Sequence, residues 1–142
     1  MLKPDNRLAK VRDFNLLMKH GRWVNGQFLD MRVLELAKIQ NYFPKKVKSR
    51  TVSGAGEDTD KFKEQLRIAI TVGLKVSKSV VKRNRARRQI SEVLRLIIKD
   101  GRLKGGHYLL FVAKKDILTK NYSEISTEVK LLLNKGKLFL SE

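Results

Sequence analysis

Residues 80–99 carry the longest helical pattern of the chain. Their apolar residues recur every three or four positions, as one stripe along an amphipathic helix requires. The stripe consists of Ala86, Ile90, Val93, Leu94 and Ile97. Gly101 follows and predicts the end of the helix. A helix with a single apolar stripe is stable only when that stripe packs on a sheet or on other helices, so the rest of the chain must supply such a surface.

The remaining patterns supply it as alternating strands and helices. Residues 11–20 and 122–134 have helical spacing, whereas residues 27–37, 66–73 and 107–113 are strand-like. The run LRIAITVG at 66–73 is almost continuously apolar, as is typical of a strand buried on both faces. The order α-β-β-α-β-α predicts one α+β domain over residues 1–142. Residues 38–65 are polar and rich in Gly and Ser, which predicts a flexible loop within that domain.

The charge balance limits the partners of such a domain. Lys and Arg number 32 against 14 Asp and Glu, a formal net charge of +18, and this self-repulsion favours an anionic partner, above all nucleic acid. A membrane partner is not favoured, because no run approaches the roughly 20 apolar residues of a spanning helix and no signal peptide opens the chain. The absence of cysteine excludes thiolate metal sites and predicts a cytoplasmic setting.

Half of the charge surplus lies in residues 75–104, where eleven Lys or Arg stand against two acids. On a helical wheel Arg85 and Arg88 lie opposite the apolar stripe, and Arg83 and Arg87 lie at its edge. A charged side chain at that edge is costly unless the helix start projects past the core, so KRNRARR is expected to overhang it and present guanidinium groups to phosphate. The alternative is a merely solvated basic face, which the size of the local surplus makes less favourable.

Catalysis by the protein alone is not favoured. The chain has two histidines, without a metal-ligand cluster or a glycine-rich phosphate loop. Glu57, Asp58 and Asp60 fall in the predicted loop, where solvation explains them better than two-metal catalysis. Phe14 and Phe28, as single aromatics on apolar faces, are more typical of core than of base stacking, although nearby basic residues keep stacking open.

Four segments of the chain resemble the bacterial ribonuclease P protein family. The series Arg83, Asn84, Arg85, Ala86, Arg87, Arg88 is similar to the family's signature helix, and GLKVSK to the strand end before it. The opening NRLAKVRDF through LLMKHG resembles the first helix, and GQFLDMRVL the first strand. The run GGHYLLFVAKKDILTKNYSEISTEVKLLL is similar to the last strand and helix. The resemblance covers the chain in order except for the loop.

The resemblance implies a fold like the second domain of ribosomal protein S5, with an added short strand and a left-handed β-α-β crossover. It implies that the basic helix faces a catalytic RNA, and that a cleft between the first helix and the sheet holds a single-stranded leader. The implied RNA-binding residues are Arg12, Lys75, Lys78, Lys82, Arg83, Asn84, Arg85, Arg87 and Arg88. The implied cleft residues are Phe14, Met18, Phe28, Leu29 and Met31, together with Asn84 and Arg87.

The implied function is that of an accessory subunit in a ribonucleoprotein endonuclease, which removes the 5′ leader of precursor tRNA. The RNA subunit would hold Mg²⁺ and carry out the hydrolysis, and the protein would be monomeric. Three features depart from the family: Met18 and Met31 stand where aromatics are frequent, the segment 73–83 is short, and the loop 38–65 is long. Alternatives are a ribosomal or other structural RNA-binding protein and, less favoured, a sequence-specific DNA-binding protein.

Overall fold

A computed structural model describes residues 6–8, 11–36 and 66–139. The chain forms helix α1 (Val11–His20), strands β1 (Arg22–Asn25), β2 (Leu29–Glu35) and β3 (Leu66–Thr71), helix α2 (Val80–Lys99), strand β4 (His107–Ala113), a 3-10 helix (Lys115–Thr119) and helix α3 (Tyr122–Lys135). The predicted loop 38–65 lies entirely outside the described residues. Within them the protein is a single α+β domain, as the sequence predicts.

The four strands form one mixed sheet in the order β1-β2-β4-β3. Strand β2 pairs antiparallel with both β1 and β4, whereas β3 and β4 pair in parallel. Helix α2 is therefore the crossover between two neighbouring parallel strands. The short strand β1 corresponds to the added strand that the family resemblance implies. The hand of the crossover and the likeness to ribosomal protein S5 stay predictions.

The sheet separates two apolar cores. The main core contains the α2 stripe, the inner face of α3 and one face of the sheet, and all five predicted stripe residues of α2 are buried there. The smaller core lies under α1 and contains Leu17, Leu34, Leu36, Tyr108 and Leu110. Because successive strand residues point to opposite faces, Leu29, Met31 and Val33 of β2 enter the main core, and Leu34 enters the smaller one.

The sheet order corrects the prediction for residues 66–73. Strand β3 lies at the edge of the sheet, so Leu66 and Ile68 are buried in the main core while Thr71 at its end is exposed. The strand with both faces covered is β4, in which Tyr108, Leu109, Leu110 and Phe111 are all buried. A continuous apolar run shows that a strand has two apolar faces, but it does not show which strand takes the central place.

Local chemistry defines where the helices begin and end. The Ser79 side chain accepts a hydrogen bond from the Lys82 amide at the start of α2, and Gly101, with φ of 70°, follows its last turn. A capping box between Asn121 and Glu124 starts α3, which satisfies backbone N–H groups that the helix leaves unpaired. Within the described ranges, no helix is long and apolar enough to cross a membrane.

Candidate nucleic-acid interface

The first turns of α2 concentrate uncompensated positive charge. The first turn contains no acidic residue, although Lys82 and Arg83 lie there and Arg85 follows. The N-terminus of a helix already carries a partial positive charge, so cations at this end are destabilising and anions are stabilising. The arrangement is therefore unfavourable for the isolated protein, and an oligoanion bound at the helix start would relieve it.

Exposure along α2 follows the helical wheel. Arg85 and Arg88 are exposed opposite the buried stripe, and Lys75 and Lys78 are exposed in the segment before the helix. Val80 is 57% and Val81 73% exposed. The first buried residue of α2 is Ala86, in its second turn. The start of the helix thus projects past the core, as the sequence predicts, and its guanidinium groups can reach a ligand from solvent.

Arg83, Asn84 and Arg87 are half-buried at the edge of the stripe. Arg87 Nη1 donates a hydrogen bond of 3.0 Å to Asn84 Oδ1, so the amide orients one guanidinium. Arg83 Nε is buried and has no hydrogen-bond partner in the structure. A buried donor without a partner costs free energy, and a phosphate or base oxygen at this edge would supply the missing acceptor.

The second half of α2 differs from the first in its unpaired positive charge, because its central cation, Arg95, is paired. Arg95 donates to Glu92 through Nη2 at 2.6 Å and through Nε at 3.0 Å. This hydrogen bonding lowers the pKa of Glu92 and raises that of Arg95. The pair offsets one of the charges that would otherwise face a ligand. The strongest attraction for an oligoanion therefore lies at the start of the helix.

A second candidate surface is the sheet face that carries α1, which we call the α1-side face. The strand registers place Trp23 opposite Arg32, Arg32 opposite Leu110, and Leu110 opposite Ala69. These residues form one row across the sheet. Beside the row, Phe14 of α1 is half-buried and Met18 is 40% exposed. Apolar side chains remain accessible here next to a cation, as a single-stranded nucleic acid requires.

Arg32 is a cation of the α1-side face whose guanidinium has three restraining contacts. Its Nε donates to the Leu17 carbonyl at 3.0 Å, and its Nη2 donates to the Met18 carbonyl. Both carbonyls lie in the last turn of α1, where helix carbonyls lack partners within the helix, and that of Leu17 also accepts a hydrogen bond from the Gly21 amide. The Arg32 guanidinium carbon also lies 5.1 Å from the centre of the Trp23 ring. The side chain joins α1 to the sheet and holds positive charge at a fixed place.

Asp30 is the carboxylate of β2 on the same face, and its charge is compensated. Asp30 Oδ1 lies 3.2 Å from Lys114 Nζ and accepts a hydrogen bond from the Gly26 amide. The pair is partly exposed, so it contributes little to stability. The ion pair matters more for binding than for stability, because a paired Asp30 repels an approaching phosphate less than a lone carboxylate would.

The structure corrects three of the predicted cleft residues. Leu29 and Met31 are fully buried and Phe28 is 5% exposed, all in the main core on the opposite face of the sheet. They therefore do not line a cleft between α1 and the sheet, although Phe28 borders a pocket between the β1–β2 turn and α3. The β2 residues that face α1 are Asp30 and Arg32, one position away from the predicted ones. The alternation of polar Asp30 and Arg32 with apolar Leu29, Met31 and Val33 could have shown this register.

The other predicted residues divide between the two surfaces. Phe14 and Met18 lie together on the α1-side face, whereas Asn84 and Arg87 lie on α2, which packs on the other face of the sheet. Arg12 is exposed on α1, with its Nε 3.5 Å from Asp13 Oδ1. The structure does not test whether any of these residues binds RNA. Their assigned roles stay predictions.

A buried polar pair beneath α1 was not expected from the sequence. Asp13 is 3% and Tyr108 1% exposed. Burial, reinforced by the nearby charge and hydrogen bond of Asp13, raises the pKa of Tyr108 to about 12. The neutral phenol is thus the form that the fold favours. Because Asp13 belongs to α1 and Tyr108 to β4, the pair fixes the helix on the sheet beside Phe14 and Met18.

Comparisons with known proteins agree on one family. The family described as Ribonuclease P matches residues 2–137. The ribonuclease P protein component of a Synechococcus strain is 46% identical over 74 residues, 52% of this chain and 54% of that protein. That of Clostridium acetobutylicum is 31% identical over 136 residues, 96% of this chain and 92% of that protein. The solved structure of the Staphylococcus aureus RNase P protein has a similar fold, with a TM-score of 0.68 at 17% identity, covering 95% of this chain and 98% of that one.

Proposed function

This chain belongs to the ribonuclease P protein family, and we propose that it binds the RNA subunit through the start of α2 and the 5′ leader of precursor tRNA through the α1-side face. It thereby assists endonucleolytic removal of the leader. The observation that carries the proposal is the projecting start of α2, which has exposed Arg85 and Arg88 and no acid in its first turn. Such a surface is unfavourable without an oligoanion and complementary to one.

The two surfaces suit different parts of an RNA complex. The guanidinium groups of α2 match the phosphate backbone of a folded RNA, which they recognise by charge and hydrogen-bond geometry. The α1-side face offers the partly exposed apolar side chains of Phe14 and Met18 with Arg32 beside them, which suits splayed bases of a single strand. Met18 makes adaptable apolar contacts where an aromatic ring would stack, so this part of the leader is held loosely.

We propose that the chemical step belongs to the RNA subunit. Among the residues that the structure describes, no three His, Cys, Asp or Glu side chains gather as metal ligands. Mg²⁺ would be held mainly by RNA, where it supplies charge neutralisation and an activated water for phosphodiester hydrolysis. The protein's cations displace condensed counterions from the same RNA. They therefore reduce the concentration of Mg²⁺ that the complex needs.

The proposal extends to the state and place of the protein. We propose that one copy acts with one RNA subunit, since a net charge of +18 opposes self-association in the absence of RNA. We also propose the cytoplasm as its location, where precursor tRNA is processed. Sedimentation of the free protein tests the first point, and a dimer at micromolar concentration would contradict it.

The test is cleavage of a precursor tRNA by a bacterial ribonuclease P RNA at low Mg²⁺, with and without the protein. We expect faster cleavage with unchanged 5′ ends. The double variant Arg85→Gln/Arg88→Gln should lose much of the stimulation. The matched control is Lys99→Gln/Arg102→Gln, which removes the same charge at the last residue of α2 and just after it, and this variant should retain the stimulation. Tight RNA binding without stimulation would instead indicate a structural RNA-binding protein.

A further inference from the structure

Trp23 is an exposed aromatic residue on the edge strand of the sheet. It lies on β1, is 45% exposed, and shares a row of the α1-side face with Arg32. We propose that Trp23 is a stacking platform for one unpaired base of the precursor tRNA leader, where the leader passes the edge of the sheet. The proposal rests on the proposed function, because it assigns a contact within the same leader-binding surface.

The indole is held in place before any ligand binds. Arg32 is tied to two carbonyls of α1, and its guanidinium lies 5.1 Å from the centre of the Trp23 ring. Arginine near an aromatic face is attractive, so it restrains the ring. Among the residues that the structure describes, β1 is the edge strand, and no further strand there covers the outer side of the indole. A restrained ring with an open side stacks on a base at little conformational cost.

The charge around the indole favours nucleic acid as the occupant. Lys19, in the last turn of α1, is exposed, and Arg32 lies beneath the ring. Asp30 in the neighbouring row is paired with Lys114, so the local field is positive. Phosphates on both sides of a stacked base would meet these cations. An apolar ring among cations is the combination with which single-stranded nucleic acids are bound.

The row across the sheet also indicates where a leader that follows it would be held most firmly. Met18, 40% exposed, lies on α1 near the middle of the face, and Trp23 lies at the edge of the sheet beyond Arg32. Met18 makes a soft contact, whereas an indole stacks strongly on any base. A leader that crosses the face would therefore be held most firmly at the edge, by a contact that tolerates every base.

The first experiment uses the fluorescence of this residue. Trp23 is the single tryptophan of the chain and RNA contains none, so emission from the complete ribonucleoprotein reports Trp23 alone. Addition of precursor tRNA should quench the emission, whereas mature tRNA should leave it nearly unchanged. Inorganic polyphosphate, which has charge without bases, should not quench it either. Equal quenching by all three ligands, or none by bound precursor tRNA, would overturn the proposal.

The second experiment measures affinity with matched variants. Trp23→Leu should weaken precursor tRNA binding by the ribonucleoprotein about fivefold or more, the loss expected for one stacked base. Trp23→Phe should restore much of the affinity, and mature tRNA should bind all variants alike. The control is Tyr122→Leu, which removes a residue of similar exposure, 39%, at the start of α3, and should have no effect. Thermal unfolding verifies that each variant folds.

An abasic leader separates stacking from other contacts. An abasic nucleotide is placed at each leader position in turn, and one position should weaken binding to the wild type but not further to Trp23→Leu. Additive losses at every position would overturn the platform. If the wild type itself binds leader-bearing and mature tRNA equally, the proposed leader binding fails and the inference fails with it. A leader preference that Trp23→Leu leaves intact removes the inference alone.

Discussion

At the scale of single residues, the contact between Asp13 and Tyr108 shows how a buried polar pair positions a binding surface. The carboxylate is almost entirely buried, and its Oδ1 makes no hydrogen bond in the structure. Its stability depends on the Tyr108 phenol and on the Arg12 guanidinium 3.5 Å away. A carboxylate in an apolar environment is costly unless such partners remain. The polar contact thus fixes where α1 lies on the sheet more specifically than apolar packing alone would.

We expect Tyr108→Phe to lower the free energy of unfolding by about 1–3 kcal/mol, because it leaves the buried Asp13 without its phenol donor. Urea unfolding measures the change. In a double-mutant cycle with Asp13→Ala, the double variant should lose less than the sum of the single losses, because the bond can be lost only once. Strict additivity of the two losses would show that the residues do not interact.

His107 gives the fold a pH dependence in the mildly acidic range. Burial lowers the pKa of His107, and its contact with the Gly105 carbonyl, 3.0 Å from Nδ1, only partly offsets this effect. The unfolded chain therefore takes up the proton first as the pH falls. The stability that depends on neutral His107 is fully present above its pKa in the unfolded chain, about 6.5. It is lost as the pH falls through the lower pKa of the folded protein.

We accordingly expect the free energy of unfolding to decrease from pH 7 toward about pH 5, a range in which most carboxylates stay ionised. His107→Gln should remove much of this decrease. The matched control is His20→Gln, which replaces the only other histidine of the chain, exposed at the end of α1, and should retain the decrease. Urea unfolding at several pH values distinguishes them, and identical pH profiles for wild type and His107→Gln would contradict the expectation.

At the scale of elements, α2 both packs on the core and presents cations to solvent. Its second half is anchored by the buried stripe, which lets its first turns extend past the core with cations that the protein alone does not balance. The anchoring explains how a helix can tolerate charge at the unfavourable end of its dipole. It also predicts that cations at the two ends of α2 differ in their effect on RNA binding.

This difference is measurable in the salt dependence of affinity for the RNA subunit. Arg85→Gln/Arg88→Gln should reduce the slope of log K against log salt by roughly 1.4–1.8, the value for two lost phosphate contacts. Lys99→Gln/Arg102→Gln, with the same loss of charge, should change it little. Filter binding at several salt concentrations gives both slopes. Equal reductions in the two variants would mean that only net charge matters, and would contradict the assignment of the RNA contacts to the start of α2.

Elements with a strong repeating pattern could be predicted from the sequence alone. The bounds of α1, α2 and β4 agree with the predictions because apolar periodicity and flanking glycines define them. Strand β1 was not predicted from the residue pattern, since in its four residues only Val24 is buried. The 3-10 helix, with Ile117 as its single buried residue, lacked a pattern for the same reason.

The candidate site was predictable where it depends on one helix and not where it depends on contacts between elements. Arg85 and Arg88 followed from the helical wheel of α2. The β2 residues of the cleft did not, because a shift of one residue moves a strand side chain to the other face. The role of Arg32 could not be predicted for a different reason. It depends on the last carbonyls of α1 lying beside β2, and no local sequence pattern indicates that contact.

At the scale of the whole molecule, salt should act on the fold and on RNA binding in opposite directions. A formal net charge of +18 destabilises the compact protein by self-repulsion. Salt screens that repulsion, since the Debye length falls from about 10 Å at 0.1 M to about 3 Å at 1 M. The same salt weakens RNA binding, because releasing condensed counterions into a more concentrated salt solution gains less free energy.

We therefore expect the Tm of the free protein to rise between low and moderate NaCl while its affinity for the RNA subunit falls. Arg85→Gln/Arg88→Gln, which has less charge to screen, should show a higher Tm than the wild type at low salt and a smaller rise with salt. Differential scanning fluorimetry over a salt series measures both. A Tm that falls with salt would show that favourable ion pairs outweigh the repulsion, and the fold would then not depend on RNA for charge neutralisation. A rising Tm would mean that repulsion among the cations limits the stability of the free protein, and bound RNA would relieve that repulsion by neutralising the same cations.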